Sequence, residues 1–210
     1  LHSSVANLSG YWRNEGKNTW TDLSTNSNNG TPTSVTENLI LPEGKNSRDI
    51  QGFLMNRFRA SGINIPNTGN DVSGYIDAGA LTLAASDSFT LSWWAKPYSL
   101  SDNYMFGTAG ADYISIITAS NIRFNPSNAS HATLVPDSAI VENQWIHITI
   151  TRIADGKTNL FINGVDQDTE QTLNEPFNFR YIGGISLFNF DGVMDDVALY
   201  DGTALSAAQI

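Results

Sequence analysis

The chain has 210 residues, no cysteine, and 21 acidic against 11 basic residues, which gives a formal charge of -10. A chain of this length buries about 70% of the surface of its unfolded state, enough for a core without disulfide bonds. The absence of cysteine excludes disulfides, thiolate metal ligands and a cysteine nucleophile. Because an acidic surface repels a phosphate backbone, we expect no nucleic-acid partner.

The domain organisation is simple. No run of about 18 apolar residues is present, so we expect no membrane insertion. We interpret residues 1-210 as one domain, with residues 1-8 as a connector from an upstream domain. The final residues, LSAAQI, stop within what resembles an amphipathic turn, which predicts a C-terminus truncated from a longer polypeptide.

The first element of interest is the polar stretch TDLSTNSNNGT, residues 21-31. Oxygen-bearing side chains recur there at every second position: Asp22, Ser24, Asn26 and Asn28. Calcium takes about six to eight oxygen ligands, so the spacing predicts half of a structural calcium site that needs a second carboxylate from elsewhere. The alternative is a connector loop closed by hydrogen-bonded Asx turns.

Two long strands are predicted from alternation. In SFTLSWWAKP the apolar set from Phe89 to Ala95 faces one way, Trp94 lies on the other face, and Pro97 ends the strand because it cannot donate to the ladder. In NQWIHITITR the isoleucines alternate in the same manner, with Trp145 and His147 on the opposite face. Each strand therefore has one face in a core.

Turn dipeptides predict hairpins between short strands. Asp155-Gly156 and Asn163-Gly164 flank the strand-like TNLFI, and Asn-Gly is the strongest two-residue hairpin signal. No segment has the pattern of a long helix. Many short strands without intervening helices predict an all-β fold, a two-sheet antiparallel β-sandwich or jelly roll.

A series of motifs in this chain resembles one known family. In order they are GYWRNEG, DLSTNSNNGT, GYIDAG, SFTLSWWAKP, QWIHITITR, LFINGV, YIGG and FDGVMDDVALYDGTALS. Their order and spacing resemble the concanavalin A-like, laminin-G-type jelly roll over nearly the whole chain. The segment LPEGKNSRDIQGF is also similar to segments in virion surface proteins of marine phages.

The resemblance implies a sandwich that often binds calcium and serves as a recognition or adhesion module on extracellular or virion surfaces. It also implies that the C-terminal strand lies near the N-terminal one. From its alternation with Val193, Val197 and Leu199, we place Asp195 on the core face, where a carboxylate needs a partner: a metal, an arginine or backbone donors. Asp195 is therefore the predicted second carboxylate of the calcium site.

The residues do not favour an enzyme. Relatives that hydrolyse glycosides need two carboxylates flanking the sugar bond, and a strand-borne E-x-D-x-E would supply them. The six glutamates form no such pattern, and no histidine has a nearby nucleophile-and-acid arrangement in sequence. We interpret His147, a position where the family often has histidine, as a packed structural residue.

Aromatic and polar residues between residues 98 and 113 predict a ligand site. Tyrosines could stack on sugar rings while neighbouring carboxylate and amide groups bind the hydroxyls. The candidate residues are Tyr98, Asp102, Asn103, Tyr104, Asp112 and Tyr113. The alternative is ordinary loop anchoring, in which each ring packs and its hydroxyl reaches solvent.

Two functions follow from these observations. The first is a non-catalytic, lectin-like module of a larger extracellular or virion surface protein that binds surface glycans. The second is a purely structural virion decoration or fibre module that contacts neighbouring proteins. A homo-oligomer is compatible with either function.

Overall fold

The computed structural model describes residues 8-12, 20-24, 26-33, 36-39, 61-65, 75-108, 112-126, 131-154, 156-184, 188 and 190-210. In this part of the chain all regular structure is β-strand, as predicted. None of the described residues belongs to a helix long and apolar enough to cross a membrane. Of the predicted connector at residues 1-8, residues 1-7 lie outside the described residues, whereas Leu8 is the first residue of a strand rather than part of a connector. The phage-like segment at residues 41-53 also lies outside the described residues.

The strands follow one another in short lengths along the chain. They are β1 (Leu8–Trp12), β2 (Thr31–Thr33), β3 (Thr36–Leu39), β4 (Ser61–Ile65), β5 (Tyr75–Leu83), β6 (Phe89–Pro97), β7 (Asn103–Gly107), β8 (Tyr113–Thr118), β9 (Asn121–Asn125), β10 (Ala132–Leu134), β11 (Ile146–Arg152), β12 (Lys157–Ile162), β13 (Val165–Asp166), β14 (Gln171–Thr172), β15 (Phe177–Ile182) and β16 (Gly192–Asp201).

These strands form two antiparallel sheets that pack as a sandwich. The first sheet has the order β13-β12-β11-β6-β16-β4-β3, with β1 also paired to β16 and β14 to β12. The second has the order β10-β9-β8-β7-β15-β5-β2. The N-terminal β1 pairs with the C-terminal β16, from Leu8 opposite Tyr200 to Trp12 opposite Val197, as the family resemblance implies.

Large aromatic side chains fill the space between the sheets. Trp93 of β6 meets Phe106 of β7 edge-on, with ring centroids 4.7 Å apart. Phe179 of β15 lies 5.6 Å from Phe106 and 5.8 Å from Trp12 of β1. Rings from both sheets therefore interlock, and complete burial of a large apolar side chain contributes roughly 1.5–3 kcal/mol. This packing replaces the disulfides that the chain cannot form.

The predicted strand faces and hairpins are confirmed. Phe89, Leu91, Trp93 and Ala95 are fully buried in the core, as are Ile148 and Ile150. Strands β11 and β12 pair as the first predicted hairpin, and Asp155 of its turn lies outside the described residues. Asn163 and Gly164 have φ of 51° and 80°, the left-handed pair that a tight hairpin turn requires.

Strand β16 contains a β-bulge that changes which side chains face the core. Asp195 pairs with Trp94, but the next registered pair is Ala198 with Ser92, so the alternation slips between them. Asp196 has φ of 48°, a conformation that Asp and Asn adopt more readily than most residues. Because of the bulge, Asp195 and Val197 point to opposite faces of the first sheet.

Arg152, at the end of β11, ties the two sheets together. It is fully buried, and its guanidinium donates to the carbonyls of Ala84, Asp87 and Glu175. Its charge lies 4.7 Å from the centroid of the Phe89 ring. Ala84 follows β5 and Glu175 precedes β15, both in the second sheet, so one side chain joins the ends of both layers.

Replacing this arginine tests its role. We expect Arg152→Met to lower the free energy of unfolding by on the order of 3 kcal/mol, because a buried acceptor left without its donor costs about 1–3 kcal/mol. Urea denaturation measures the change. The control is Arg180→Met, which removes an exposed ion pair with Asp77 (2.8 Å) and should cost less than about 1 kcal/mol. Equal losses in both variants would contradict the role of Arg152.

Candidate functional site

A groove crosses the outer face of the first sheet. We call it the outer groove; it has a volume of about 510 Å³. Its described lining comes from β1, β6, β11, β16, the Asn163-Gly164 turn and the C-terminal segment. A second cavity of about 280 Å³, the tryptophan pocket, shares Trp94 and Asp196 with it. Ligand sites commonly enclose about 300–1,000 Å³. The outer groove lies within this range, and the adjoining tryptophan pocket lies just below it.

The tryptophan pocket is built from two aromatic and two acidic side chains. Its described lining consists of Trp94, Trp145, Asp195 and Asp196. Trp94 is 39% exposed and Trp145 is 37% exposed, which is high for such large apolar rings. Trp94 lies between Asp195 on β16 and His147 on β11, each directly opposite it in the sheet. Strand pairing alone therefore brings an acid, an indole and an imidazole into one row.

A neighbouring row supplies hydroxyl groups to the outer groove. The hydroxyl of Thr149 donates to Ser92 Oγ at 3.1 Å, and Ser92 Oγ lies 2.8 Å from Nε2 of His147. The His147 ring is 5.1 Å from that of Trp94. The hydroxyl of Tyr11 donates to Oδ1 of Asp196 at 2.9 Å. These bonds hold the polar side chains of the floor in defined positions.

Turn residues close the groove at one end. The N–H of Asn163 donates to the carbonyl of His147 at 2.8 Å, and Asn163 Oδ1 accepts the N–H of His147 at 3.0 Å. Trp145 precedes β11 in a loop that is held to the end of β6 by the N–H of Asn143, which donates to the carbonyl of Pro97 at 2.7 Å. The Asn-Gly turn and this anchored loop thus position the groove's rim.

The placement of Asp195 corrects the prediction from alternation. The side chain lies on the outer face beside Trp94, not on the core face with Val197 and Leu199, because the bulge intervenes. Asp195 is nevertheless 95% buried (5% exposed), and its Oδ1 accepts the N–H of Asp196 at 2.8 Å. Its partners thus include a backbone donor, which was one of the expected options.

The predicted calcium loop is held by its own hydrogen bonds. Oδ1 of Asp22 accepts the N–H groups of Tyr11 and Ser24, and Oδ2 accepts the Ser24 hydroxyl and the N–H of Asn28, all at 2.9 Å. A carboxylate offers about four lone-pair positions. A cation at Asp22 would therefore have to displace donors that the loop already provides.

The side-chain amides of the same loop also donate hydrogen bonds to the protein backbone. Nδ2 of Asn26 and Nδ2 of Asn28 donate to the carbonyl of Ser9 at 3.1 and 3.2 Å. Among the described residues, no group of three or more His, Asp or Glu side chains could hold a metal. The contacts therefore fit the Asx-turn alternative better than a calcium cage, and the unfolding experiment below decides between the two.

Two of the predicted ligand-binding residues act within the protein. Asn103 is buried, its Nδ2 donates to the carbonyls of Ser99 and Asp191, and its Oδ1 accepts the N–H of Asp191. Asp112 is buried and accepts both the N–H and Nδ2 of Asn178 at 2.6 Å. Both side chains therefore connect loops to strands, and because they are buried, a ligand at the surface does not reach them.

Two predicted tyrosines do come together, on the outer face of the second sheet. The rings of Tyr104 and Tyr113 lie 4.9 Å apart, and Phe188, which is 53% exposed, stacks on Tyr104 at 5.0 Å. Burial, with the nearby Tyr113 and Asp102, raises the pKa of Tyr104. Nη1 of Arg123 lies 3.4 Å from the Tyr113 hydroxyl. These three rings form an aromatic cluster in which Phe188 keeps an exposed face.

The other two predicted ligand residues lie near this region without joining the cluster. Tyr98 is 37% exposed, and its N–H donates to the carbonyl of Asp191 at 2.8 Å. Asp102 is an exposed turn residue with φ of 47°. Their ligand binding stays a prediction, because the described contacts involve only the backbone of Tyr98 and the turn at Asp102.

Sequence reasoning did not identify the outer groove. Trp94, Trp145 and His147 carry a signal, since each falls on the non-core face of its predicted strand or directly beside it. That two tryptophans stay exposed beside a pair of aspartates depends on the pairing of β6 with β11 and β16, which lie far apart in sequence. Tyr11 gave no signal, because its partner Asp196 is 185 residues away.

The sequence and the fold both match known proteins. A profile of the concanavalin A-like lectin/glucanases superfamily matches residues 68–210, more than half of the chain. The chain belongs to this superfamily. Among curated proteins, none matches the sequence.

Several solved structures share the fold of this superfamily member. Domain 4 of AbnA, an extracellular arabinanase from Geobacillus stearothermophilus solved in complex with arabinotriose, is 18% identical, with 96% of this chain and 95% of that one covered and a TM-score of 0.66. The binding domain of botulinum neurotoxin serotype D is 15% identical, with 98% and 50% covered and a TM-score of 0.63. A heptameric pentraxin from Limulus polyphemus is 18% identical, with 70% and 77% covered and a TM-score of 0.55.

These likenesses concern the fold. All three identities are below 25%, so they show a shared sandwich and assign no ligand to this chain. The chain spans about half the length of the neurotoxin binding domain. One of the similar structures is a domain of a glycoside-cleaving enzyme and another is a toxin's binding domain, so the fold alone does not separate catalysis from binding.

Calcium binding at the Asp22 loop can be tested by thermal unfolding. We expect the same melting temperature with added calcium and with chelator, because the carboxylate of Asp22 already has four donors. We expect Asp22→Ala to destabilise the fold by about 3 kcal/mol under both conditions, since it leaves those donors unpaired. Asp201→Ala, at an exposed position on β16, is the control.

The opposite result would establish the metal site. A calcium-dependent rise in the melting temperature of the parent chain that Asp22→Ala abolishes and Asp201→Ala preserves would place the ion in this loop. A ligand present at 100 times its dissociation constant adds about 2.7 kcal/mol to the free energy of unfolding, which such an experiment detects.

Proposed function

We propose that this domain is a non-catalytic recognition module that binds carbohydrate in the outer groove and the adjoining tryptophan pocket. The observation that carries the proposal is the pair of exposed indoles, Trp94 and Trp145, at cavities with hydroxyl, imidazole and carboxylate groups in their lining. Exposed tryptophan retained beside fixed polar groups is typical of sites for ligands with one apolar face and many hydroxyls.

The chemistry of a sugar ring fits this lining. Its C–H face is apolar and packs on an indole, while its hydroxyls both donate and accept hydrogen bonds. The carboxylate of Asp196 accepts, and the amide of Asn163 and the linked hydroxyls of Ser92 and Thr149 offer both functions. The first sheet supplies most of these groups from paired strands, so the site needs little ordering when a ligand binds.

The arrangement of carboxylates supports binding over catalysis. Glycoside hydrolysis uses two carboxyl groups on either side of the scissile bond, about 5 to 9.5 Å apart. Asp195 and Asp196 are consecutive residues of one strand, and no other carboxylate side chain belongs to the described lining of either cavity. Ser92 Oγ lies within hydrogen-bonding distance of His147 and also accepts a hydrogen bond from Thr149. A catalytic triad requires, in addition, a carboxylate that orients the histidine.

We further propose that the module belongs to an extracellular protein or a virion surface. The acidic, cysteine-free sequence is compatible with such a particle surface, and the arabinanase whose domain 4 has a similar fold is an extracellular enzyme. In this setting the natural partner is a surface glycan. The alternative is a structural module that only contacts neighbouring proteins. That alternative does not account for the exposed tryptophans or for the polar groups of the outer groove.

Substitution of the exposed tryptophans tests the proposal. We expect Trp94→Ala and Trp145→Ala each to weaken oligosaccharide binding at least about tenfold, since buried tryptophan contacts are often worth 2 kcal/mol or more. Binding is measured on a glycan array and then by calorimetry with the best glycan found, with arabinotriose included as a defined probe. Both side chains are partly exposed, so the fold should remain intact, which circular dichroism checks.

The control for this experiment is Tyr104→Ala, which alters the aromatic cluster of the second sheet and leaves the outer groove unchanged. It should retain binding. Loss of binding in Tyr104→Ala with normal binding in Trp94→Ala would move the site to the second sheet. Failure of the parent chain to bind any glycan, together with stable association with a neighbouring surface protein, would favour the structural function.

A further inference from the structure

The described lining of the tryptophan pocket is negatively charged. Two of its four described lining residues are carboxylates, and they are neighbours in sequence. No lysine or arginine belongs to the described lining of this pocket or of the outer groove. Lys96 lies on the same strand face two residues beyond Trp94, opposite Val193, and is not among the lining residues. The pocket is therefore acidic between aromatic walls.

We propose that the tryptophan pocket receives a protonated amino group, so that the module selects saccharides with unacetylated amino sugars over neutral and acidic ones. This inference rests on the proposed function, because it assigns a ligand class to the same site. Indole faces carry negative electrostatic potential and attract organic cations more strongly than other aromatic rings do. A cation in this pocket is attracted both by the indole faces of Trp94 and Trp145 and by the carboxylates.

The geometry of Asp196 favours this role. Its Oδ1 is fixed by the hydroxyl of Tyr11 at 2.9 Å, and no described hydrogen bond ends on its Oδ2. Asp196 has a left-handed backbone conformation at the bulge, is half-buried, and lines both cavities. Unusual backbone conformations of this kind often accompany binding sites, where the surrounding structure maintains them.

Asp196 is the carboxylate to which we assign the amine. Asp195 lines the pocket beside it but has further partners within the protein. The formal charge of -10 adds a long-range attraction for cationic glycans and a repulsion for uronic, sialic or sulfated ones.

The experiment compares tetrasaccharides that differ in charge. The probes are β-linked tetramers of glucosamine, N-acetylglucosamine and glucose, and a galacturonate tetramer, measured by calorimetry in mildly acidic buffer with chelator present. We expect the glucosamine tetramer to bind at least about tenfold more tightly than the acetylated or glucose tetramer, because a hydrogen bond between charged groups is stronger than one between neutral groups. The galacturonate tetramer should not bind.

A matched pair of variants separates the pocket from the overall charge. Asp196→Asn removes the charge while keeping an acceptor for Tyr11 and a residue type that tolerates the left-handed conformation. Asp201→Asn removes the same charge from an exposed position on the same strand. We expect Asp196→Asn to bind the glucosamine tetramer no more tightly than the glucose tetramer, and Asp201→Asn to keep the preference at both low and high salt.

The outcomes distinguish this inference from the proposed function. Equal affinity of the parent chain for the amino and neutral tetramers overturns the amino-sugar inference and leaves carbohydrate binding intact. A preference that survives Asp196→Asn, or that Asp201→Asn reduces equally, overturns the assignment to the pocket. Binding of none of these tetramers, nor of any glycan on the array, overturns the proposed function itself.

Discussion

The antiparallel pairing of β6 with β16 is the interaction on which the rest of the structure depends. From this central pair, Trp93 and Leu199 project into the core, while Trp94 and Asp195 project from the opposite face. The two strands lie about a hundred residues apart in sequence, so their pairing is a long-range contact that local sequence patterns do not specify. A single register therefore determines both the packing between the sheets and the composition of the outer surface.

The bulge in β16 links stability to the candidate site. Without it, continuous alternation would place Asp195 and Val197 on the same face of the sheet. With it, Val197 enters the core while Asp195 and Asp196 both line the tryptophan pocket. The bulge thus lets one strand bury its apolar residues and present two adjacent carboxylates, and bulges commonly redirect side chains in this way beside functional sites.

The two outer faces of the sandwich differ in kind. On the second sheet, the rings of Tyr104, Tyr113 and Phe188 contact one another, and the carboxylates and amides predicted to lie beside them, Asp112 and Asn103, are buried in bonds within the protein. On the first sheet, Trp94 and Trp145 border open volume, and fixed hydroxyl and carboxylate groups lie beside them. A ligand with hydroxyl groups needs aromatic surface and fixed polar partners in one cavity, which the first sheet provides. This difference is why we place carbohydrate binding on the first sheet.

Local sequence determined the strands, their inner faces and the hairpin turns, because alternation and Asn-Gly chemistry act over a few residues. It also indicated the sandwich, through motifs in a recognisable order. The site depended on contacts that local patterns do not contain. Asp195 was assigned to the wrong face because a bulge shifts alternation by one residue, and only the pairing with Trp94 revealed it. The partnership of Tyr11 with Asp196, across 185 residues, likewise arises only when the two ends of the chain meet in one sheet.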